Sequence, residues 1–251
     1  MSKHQWNYIS FGLLSLAFAY VYVFHGWLIW CWLILLLIWF GIVIYGSFSI
    51  KANYYLYAIN KLDTTKKIVA LTFDDGPTFH TKEILDLLKK HDAKATFFCI
   101  GKQIEMYPDI FNRIIQEGHN VGNHTYSHGK SMGFKKTKEL IYEIEKNNDI
   151  ISQVSGKRTL LFRPPFGVTN PRFRRALSAT QMTAVGWSIR SLDTVVKDEN
   201  KIVSRIEKNI QPGSIILLHD TSQKSVNVLA RLLGYLSSNS YKSVLLEPEL
   251  K

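Results

Sequence analysis

The sequence predicts an α/β protein, namely a small, closed or nearly closed (β/α)7-type barrel preceded by a two-helix transmembrane hairpin. Three observations lead to this prediction: the first fifty residues are almost free of charge, seven short apolar and β-rich runs follow, and stretches with helical spacing lie between those runs. A chain of 251 residues has room for one sizeable domain and an appendage. Its hydrophobic content of 46% excludes an intrinsically disordered protein.

The N-terminal region is predicted to cross a membrane twice. Lys3 is the only Lys, Arg, Asp or Glu in the first fifty residues. A single helix over residues 8–50 would be about twice as long as the ~30 Å hydrocarbon core of a bilayer, so one straight span is excluded. The pair His25-Gly26 divides the region into two spans, 8–24 and 27–46, and each is close to the length of a membrane helix. A cleaved signal peptide is the alternative for the first span.

Aromatic residues near the predicted ends of these spans are expected at the membrane interface, where amphipathic rings favour the headgroup layer. They are Trp6, Tyr8, Trp27 and Tyr45, followed by Tyr54, Tyr55 and Tyr57. Residues 51–66 are predicted to be a linker, because the composition changes after Lys51 and turns polar from Asn60. Residues 67–251 are then the soluble domain.

The soluble domain alternates strands with helices. The predicted strands are 68–73, 96–100, 120–122, 160–163, 183–188, 214–218 and 243–246. Helical spacing of apolar residues is clearest over 81–90 and 137–154. This alternation requires parallel strands with helical crossovers, and seven units in a domain of this size favour a small barrel. A doubly wound sheet is the alternative.

Ionisable side chains follow most of the predicted strands. They lie in Asp74-Asp75-Gly76-Pro77, in His124-Thr125-Tyr126-Ser127-His128, in Arg163-Pro164-Pro165-Phe166, in Ser188-Ile189-Arg190-Ser191-Leu192-Asp193 and in His219-Asp220. A β/α barrel carries its active site at the C-terminal ends of its strands. We therefore expect these groups to converge on one rim.

Part of this set fits a metal site. Adjacent carboxylates that leave a strand point to different sides, so Asp75 can bind a cation while Asp74 stays free as a base. Two histidines four residues apart, His124 and His128, can bind the same cation. Two imidazoles and one carboxylate suit Zn²⁺ and leave a position open. Taken alone, the histidine pair is also compatible with two unrelated surface residues, but the neighbouring Asp-Asp turn favours the metal site.

Four motifs together resemble those of the polysaccharide deacetylases, the carbohydrate esterase family that includes peptidoglycan, chitin and nodulation-factor deacetylases. The motifs are Thr72-Phe73-Asp74-Asp75-Gly76-Pro77, His124-Thr125-Tyr126-Ser127-His128, Arg163-Pro164-Pro165-Phe166 and Leu217-Leu218-His219. The resemblance covers residues 67–251. It implies a distorted (β/α) barrel, one divalent metal, usually zinc, and removal of an N-acetyl group from an amino sugar.

The resemblance also implies a role for each matching residue. Asp74 is expected to be the general base, oriented and charge-paired by Arg163, and His219 the general acid. Asp75, His124 and His128 are the expected metal ligands. Phe166 is expected to donate its backbone N–H to the oxyanion. The chemistry agrees, because amide hydrolysis needs an activated water, a stabilised oxyanion and a proton for the departing amine.

One motif departs from the family pattern. Relatives commonly carry an Asp-Trp pair whose carboxylate supports the acid histidine and whose indole lines the sugar groove. Here Asp193 is followed by Thr194, so Asp193 can still orient His219 while the usual indole is missing. We expect Trp187 to compensate in part as a substrate-binding residue. Phe166 stands where tyrosine is frequent, which matters little if only its backbone acts.

The sequence thus predicts a membrane-anchored, metal-dependent N-deacetylase of an amino-sugar glycan. The alternatives are a deacetylase or deformylase of a lipid-linked sugar and a non-catalytic carbohydrate-binding relative. The net charge of +11 raises the possibility of nucleic-acid binding, but the sequence has no nucleic-acid motif, and we expect the basic surface to lie against anionic lipid or polymer.

Two opposing arguments predict the side of the membrane on which the soluble domain lies. A hairpin places the N-terminus and the domain on the same side. The lysines that flank the hairpin, against an uncharged turn, favour a cytoplasmic domain by the positive-inside rule. They are Lys3, Lys51, Lys61, Lys66 and Lys67. Cell-surface glycans, the substrates of the resembled family, lie outside, and a short N-terminus can be translocated. We expect an extracytoplasmic domain.

Overall fold

A computed structural model describes residues 2–25 and 29–247, and it has an α/β fold in which parallel strands form a curled sheet covered by helices. The α-helices are α1 (Lys3–His25), α2 (Ile29–Phe48), α3 (Thr81–Lys90), α4 (Gly101–Met106), α5 (Pro108–Gln116), α6 (Thr137–Ser155), α7 (Pro171–Ala179), α8 (Glu199–Glu207) and α9 (Gln223–Ser238). The strands are β1 (Ala58–Ile59), β2 (Ile68–Asp74), β3 (Ala95–Cys99), β4 (Asn120–Asn123), β5 (Leu161–Phe162), β6 (Thr183–Val185), β7 (Ile189–Arg190), β8 (Ser214–His219) and β9 (Lys242–Ser243).

The sheet is a half-barrel. Its strand order is β1-β6-β5-β4-β3-β2-β8-β7, with β9 paired to the start of β2, and every pairing between these strands is parallel. Strands β1 and β7 lie at the two ends, and within the described residues they do not pair with each other. The predicted α/β barrel is therefore confirmed in a curled, incompletely closed form, and the doubly wound sheet is not the observed fold.

All seven predicted strands are present with shifted ends, whereas β1 and β7 were not predicted. Both contain only two residues, too few to show an alternating pattern. Strand β1 lies in residues 51–66, which the sequence assigns to a linker. In the structure this segment also buries Ile59 and Leu62 against the barrel.

Side chains of β2 alternate between two apolar clusters, as the period of a strand requires. Val69, Leu71 and Phe73 pack outward against the helices, whereas Ala70 belongs to the cluster that contains Ile215 of β8. Thr72 and Asp74 continue the inner row, and both are buried. The inner row therefore brings a carboxylate to the C-terminal end of the half-barrel.

Helices α1 and α2 are each long and apolar enough to cross a membrane. Their 23 and 20 residues correspond to about 30–35 Å, and many of their large apolar side chains are exposed. Gly26 and Trp27, assigned to the turn and to the start of the second span, lie outside the described residues. Tyr54 and Tyr55 are buried rather than exposed, and the ring of Tyr55 lies 5.2 Å from that of His4.

Candidate active site

Strand register brings the predicted site residues together. Asp74 is the register partner of His219 on β8. Asn123 at the end of β4 is the partner of Phe162 on β5, so His124 and Arg163, which follow them, leave neighbouring strands side by side. Because all these strands are parallel, the groups meet at one end of the sheet. The expected convergence on one rim is what the structure has.

Three side chains of this rim form a possible metal site. The Oδ1 atom of Asp75 lies 3.5 Å from Nε2 of His124 and 3.4 Å from Nε2 of His128. Ligands held about 2.0–2.1 Å from a tetrahedral zinc ion are roughly 3.3 Å apart. The two Asp75 separations match this value, and all three ligand atoms lie within 4.8 Å of one another, as a shared divalent cation requires. The remaining side of the cluster opens to solvent, since the Asp75 side chain is 28% exposed.

The ring hydrogen bonds and charges of the cluster also suit a cation. The Nδ1 atom of His124 is 2.7 Å from the carbonyl oxygen of Arg163, which leaves Nε2 facing Asp75. Burial and the positive charge of His124 lower the pKa of His128 to about 4, so the imidazole of His128 is neutral near pH 7. Burial favours a higher pKa for Asp75, but the hydrogen bond and charge of His124, together with the charges of His128 and His219, hold this pKa well below its usual range.

Asp74 is held by a buried arginine. Nη1 of Arg163 donates to Oδ1 of Asp74 at 2.6 Å and to Oγ1 of Thr72 at 2.9 Å, while Nη2 donates to the carbonyl of Gly186 at 2.8 Å. The Arg163 side chain is completely buried, with its guanidinium carbon 4.1 Å from the centre of the Phe98 ring. This leaves Oδ2 of Asp74 as the carboxylate oxygen without a bond to Arg163, 3.9 Å from Nε2 of His124.

His219 is paired with a buried carboxylate. Its Nδ1 lies 2.8 Å from Oδ1 of Asp193, and its backbone N–H donates to Oδ2 of the same residue. Ser191 and Ser225 also donate hydroxyl hydrogens to Asp193. Burial favours a lower pKa for His219, but the Asp193 hydrogen bond and charge outweigh it and raise this pKa to about 9. Nε2 of His219 points into the cluster, 4.0 Å from Oδ2 of Asp75.

This pair predicts a pH effect. Because the pKa of His219 is raised to about 9, its imidazolium is present below that pH and lost as the pH rises through it. Replacing Asp193 by Asn removes the opposing charge, so we expect the alkaline limb of the rate profile to move down by about 1–3 pH units. The profile of kcat/KM against pH measures this shift.

Asp198→Asn, at the N-terminus of α8, is the control and should leave the alkaline limb in place. An unchanged limb in Asp193→Asn would exclude His219 as the titrating acid.

The short turn Pro165–Gly167, called the Phe166 turn below, lies next to the possible metal site. The Phe166 ring is 4.7 Å from that of His128, its side chain is 52% exposed, and its φ of 59° is in the left-handed region. Left-handed backbone is shared by Asp75 and His128, and such residues concentrate at functional sites. Trp187, expected as a substrate-binding residue, is 9% exposed and packs beneath Gly167, with its ring 5.8 Å from the Arg163 guanidinium.

Gly167 is required by this packing. Its φ is 69°, and a Cβ there would lie 2.5 Å from Cη2 of Trp187. Gly156 has a φ of 72° with open space around it. An alanine at either position would therefore adopt the same strained left-handed backbone, and only Gly167→Ala would also clash with a side chain. We expect Gly167→Ala to destabilise the protein by about 1–3 kcal/mol more than Gly156→Ala, the usual cost of overpacking. Thermal unfolding midpoints of the two variants test this, and equal midpoints would contradict the Trp187 contact.

The C-terminal end of α2 is bonded to the loop that follows the Phe166 turn. The backbone N–H of Thr169 donates to the carbonyl of Ser47 at 2.9 Å, and its hydroxyl donates to that of Gly46 at 3.2 Å. Thr169 is buried. We call these two bonds the α2–Thr169 seam. It links the apolar hairpin to a segment only three residues from Phe166.

Sequence reasoning missed several buried polar residues that hold the site loops. Nδ2 of Asn147 on α6 donates to the carbonyls of Cys99 and Thr125, and Glu143 accepts from the backbone N–H and hydroxyl of Ser127. Both lie on the inward face of α6, so a polar residue at a predicted core position was the available signal. Asp220 was expected at the rim without an assigned role, and its Oδ2 accepts from Thr81 Oγ1 at 2.6 Å.

Comparison with known proteins gives one consistent family. The family model described as polysaccharide deacetylase matches residues 61–185. The chain is 35% identical over 184 residues to the peptidoglycan-N-acetylmuramic acid deacetylase PdaC of Bacillus subtilis. The matched region covers 73% of this chain but only 38% of that protein. A peptidoglycan-N-acetylglucosamine deacetylase of Bacillus cereus is 34% identical over 199 residues, covering 75% of this chain and 90% of the relative.

Solved structures agree in fold. The Bc1960 peptidoglycan N-acetylglucosamine deacetylase superimposes with a TM-score of 0.72 at 34% identity, covering 77% of this chain and 92% of that one. BA3943 from Bacillus anthracis, described as a family 4 carbohydrate esterase pseudoenzyme, gives a TM-score of 0.71 at 26% identity, covering 77% and 69%. The fold is therefore shared with a protein described as a pseudoenzyme. Catalytic activity cannot be inferred from the fold alone and depends on the residues of the site.

Proposed function

This chain belongs to the polysaccharide deacetylase family, and we propose that it is a metal-dependent hydrolase that removes N-acetyl groups from the amino sugars of peptidoglycan at a membrane. One observation supports this most strongly: the Asp75, His124 and His128 cluster shares a rim with the Asp74–Arg163 pair and with His219. The substrate class follows the relatives, whose names are those of peptidoglycan deacetylases.

The proposed cofactor is one divalent ion per chain, Zn²⁺, held by Asp75, His124 and His128. This ligand set is common for zinc. When bound, such an ion polarises the amide carbonyl and acidifies water. Binding a dication also offsets the carboxylate charge of Asp75, which otherwise lies between two imidazoles. The rest of the chemistry is assigned to side chains of the chain itself.

Asp74 is proposed as the general base. Its Oδ2 takes a proton from the water that attacks the acetyl carbonyl carbon, while Arg163 fixes the carboxylate through Oδ1. The backbone N–H of Phe166 donates to the oxyanion that forms. As the carbon–nitrogen bond breaks, Nε2 of His219 gives its proton to the departing amine, and Asp193 stabilises the protonated imidazole at Nδ1. The products are acetate and the free amino sugar.

Trp187 is proposed to act indirectly on substrate. Its low exposure leaves little surface for a sugar, so its contribution is to support the Gly167 end of the Phe166 turn. The exposed Phe166 ring is then the aromatic surface beside the cluster.

A second candidate substrate is an acetylated or formylated sugar carried on a membrane lipid. The α2–Thr169 seam favours it, because three residues span at most about 11 Å and hold the Phe166 turn close to the end of a predicted membrane helix. The third possibility, a non-catalytic carbohydrate-binding relative, is opposed by the presence of the complete set of acid, base and ligand residues.

Acetate release from three substrates separates these functions. We expect purified full-length protein with Zn²⁺ to release acetate from peptidoglycan fragments faster than from chitin oligomers. Preference for an acetylated lipid-linked sugar would replace the main proposal by the second. Binding of glycan without release of acetate from any substrate, or of formate from a formylated lipid-linked sugar, in protein with a full complement of metal, would indicate the non-catalytic function.

We also propose that α1 and α2 anchor the protein as a multi-pass membrane protein with an extracytoplasmic domain. Both helices pass the length and composition test for a span, and glycan substrates lie outside the cell. Protease added to intact cells or spheroplasts should remove the domain without lysis. Protection of the domain until the membrane is opened would place it in the cytoplasm and favour the lipid-linked substrate.

A further inference from the structure

A cavity of about 830 Å³ lies between the start of α1 and the outer side of the half-barrel. Its walls come from residues 2–3, from residues 53–57, from α7 and from the start of β6. This volume is within the usual ~300–1,000 Å³ of small-molecule sites. The cavity lies outside the catalytic rim, because none of its lining residues belongs to the proposed active site.

The charged lining of this cavity is entirely basic. Lys3 and Arg174 are its charged residues, and the lining contains no Asp or Glu. Nζ of Lys3 donates to the carbonyl of Ala52 at 2.8 Å, and Nη1 of Arg174 donates to Oγ of Ser2 at 2.9 Å. Both partners are neutral, and neither cation has a salt bridge among the described residues. Two basic residues that line one concavity without a carboxylate are suited to a phosphate group.

The position of the cavity indicates the source of that phosphate. The cavity lies beside the N-terminus of α1, which begins at Lys3, and close to the C-terminus of α2, which ends at Phe48. Exposed Tyr45 and Phe48 are at the same level, and the exposed Tyr57 lines the cavity. When the hairpin spans a bilayer, this is the depth of the lipid headgroups, where tyrosine is favoured.

We propose that this cavity binds the phosphate of an anionic phospholipid headgroup, with Lys3 and Arg174 as the cationic contacts. The inference rests on the proposed membrane placement of α1 and α2, not on the deacetylase chemistry. Arg174 lies on α7, which follows the Phe166 turn, and its bond to Ser2 joins α7 to the start of α1. A headgroup bound between them would hold the domain against the membrane.

The test measures stabilisation of the full-length protein in detergent by added lipid. We expect phosphatidylglycerol to raise the unfolding midpoint, with phosphatidylcholine and inorganic phosphate having much smaller effects. Arg174→Gln should weaken the apparent affinity for phosphatidylglycerol about fivefold, the usual contribution of one basic residue near an anionic surface. Ser178→Phe, which fills the cavity while keeping both charges, should weaken it as well. Arg175→Gln, on the same helix but outside the lining, is the matched control.

Three results would overturn the proposal. Equal phosphatidylglycerol affinity in wild type, Arg174→Gln and Ser178→Phe would show that the cavity is not the site. Equal stabilisation by inorganic phosphate would show a free-phosphate site. An equal loss in Arg175→Gln would show a diffuse electrostatic effect. Recovery of the protein in the soluble fraction without detergent would instead overturn the membrane placement, so the two failures are distinguishable.

Discussion

Replacing Asp74 by Asn is expected to lower kcat by about 10²- to 10⁴-fold, the usual contribution of a positioned general base, while leaving metal content unchanged. The amide has the shape of the carboxylate but cannot accept the water proton. Asp74 lies beside the proposed metal ligands and is not one of them, since its Oδ2 is 3.9 Å from Nε2 of His124 and its Oδ1 is bonded to Arg163. Rate and metal content should therefore separate in this variant.

The measurement is acetate release at saturating substrate, with zinc content determined on the same sample. Asp86→Asn is the control, because Asp86 is an exposed carboxylate on α3 that also pairs with an arginine, Arg113, and is not one of the proposed site residues. We expect it to match wild type in both readouts. Loss of metal in Asp74→Asn would reassign this residue as a ligand, and an unchanged rate would remove it from the mechanism.

Removing the metal is expected to have the largest effect. Chelation should abolish acetate release, and Zn²⁺ should restore it. His128→Ala should weaken zinc affinity by at least about tenfold, because one of three protein ligands is lost and second-shell changes alone cost that much. His128 is also the more exposed of the two histidines, so its removal disturbs the core less than that of His124.

Zinc titration of metal-free protein measures this affinity, and His91→Ala, at the exposed end of α3, is the matched control. We expect the control to bind zinc as wild type does. Full activity in metal-free wild-type protein would contradict the proposed metal dependence. Unchanged zinc affinity in His128→Ala would contradict the assignment of this ligand.

The parts of the fold that follow from local pattern were predictable. Strands β2, β3 and β8 are runs of apolar residues, and the apolar spacing of α3 and α6 marks the helices between them. What remained hidden depends on contacts between distant segments. Strand β1 exists because residues 58–59 pair with residues 184–185 of β6, and the incomplete closure depends on how strands curve in space, which no periodicity records.

The site divides in the same way. The prediction that Asp74, Asp75, His124, His128, Arg163 and His219 meet on one rim was possible because each sits in a short motif at a strand end. The loop-supporting roles of Asn147 and Glu143 were not found, because their partners are 16 to 48 positions away in the chain. The left-handed backbone of Asp75, His128 and Phe166 was equally hidden, since none of these is a glycine.

If α2 spans a membrane as proposed, the α2–Thr169 seam connects the proposed active site to the surrounding lipid. A helix whose apolar length differs from the hydrocarbon thickness adapts partly by tilting. Because the end of α2 is bonded directly to Thr169, with Ile50 buried in the barrel just beyond it, a change of tilt would be carried to the Phe166 turn. Acyl-chain length would then act on the reaction rate, and turnover measured in short-chain and long-chain bilayers should differ even for a soluble substrate.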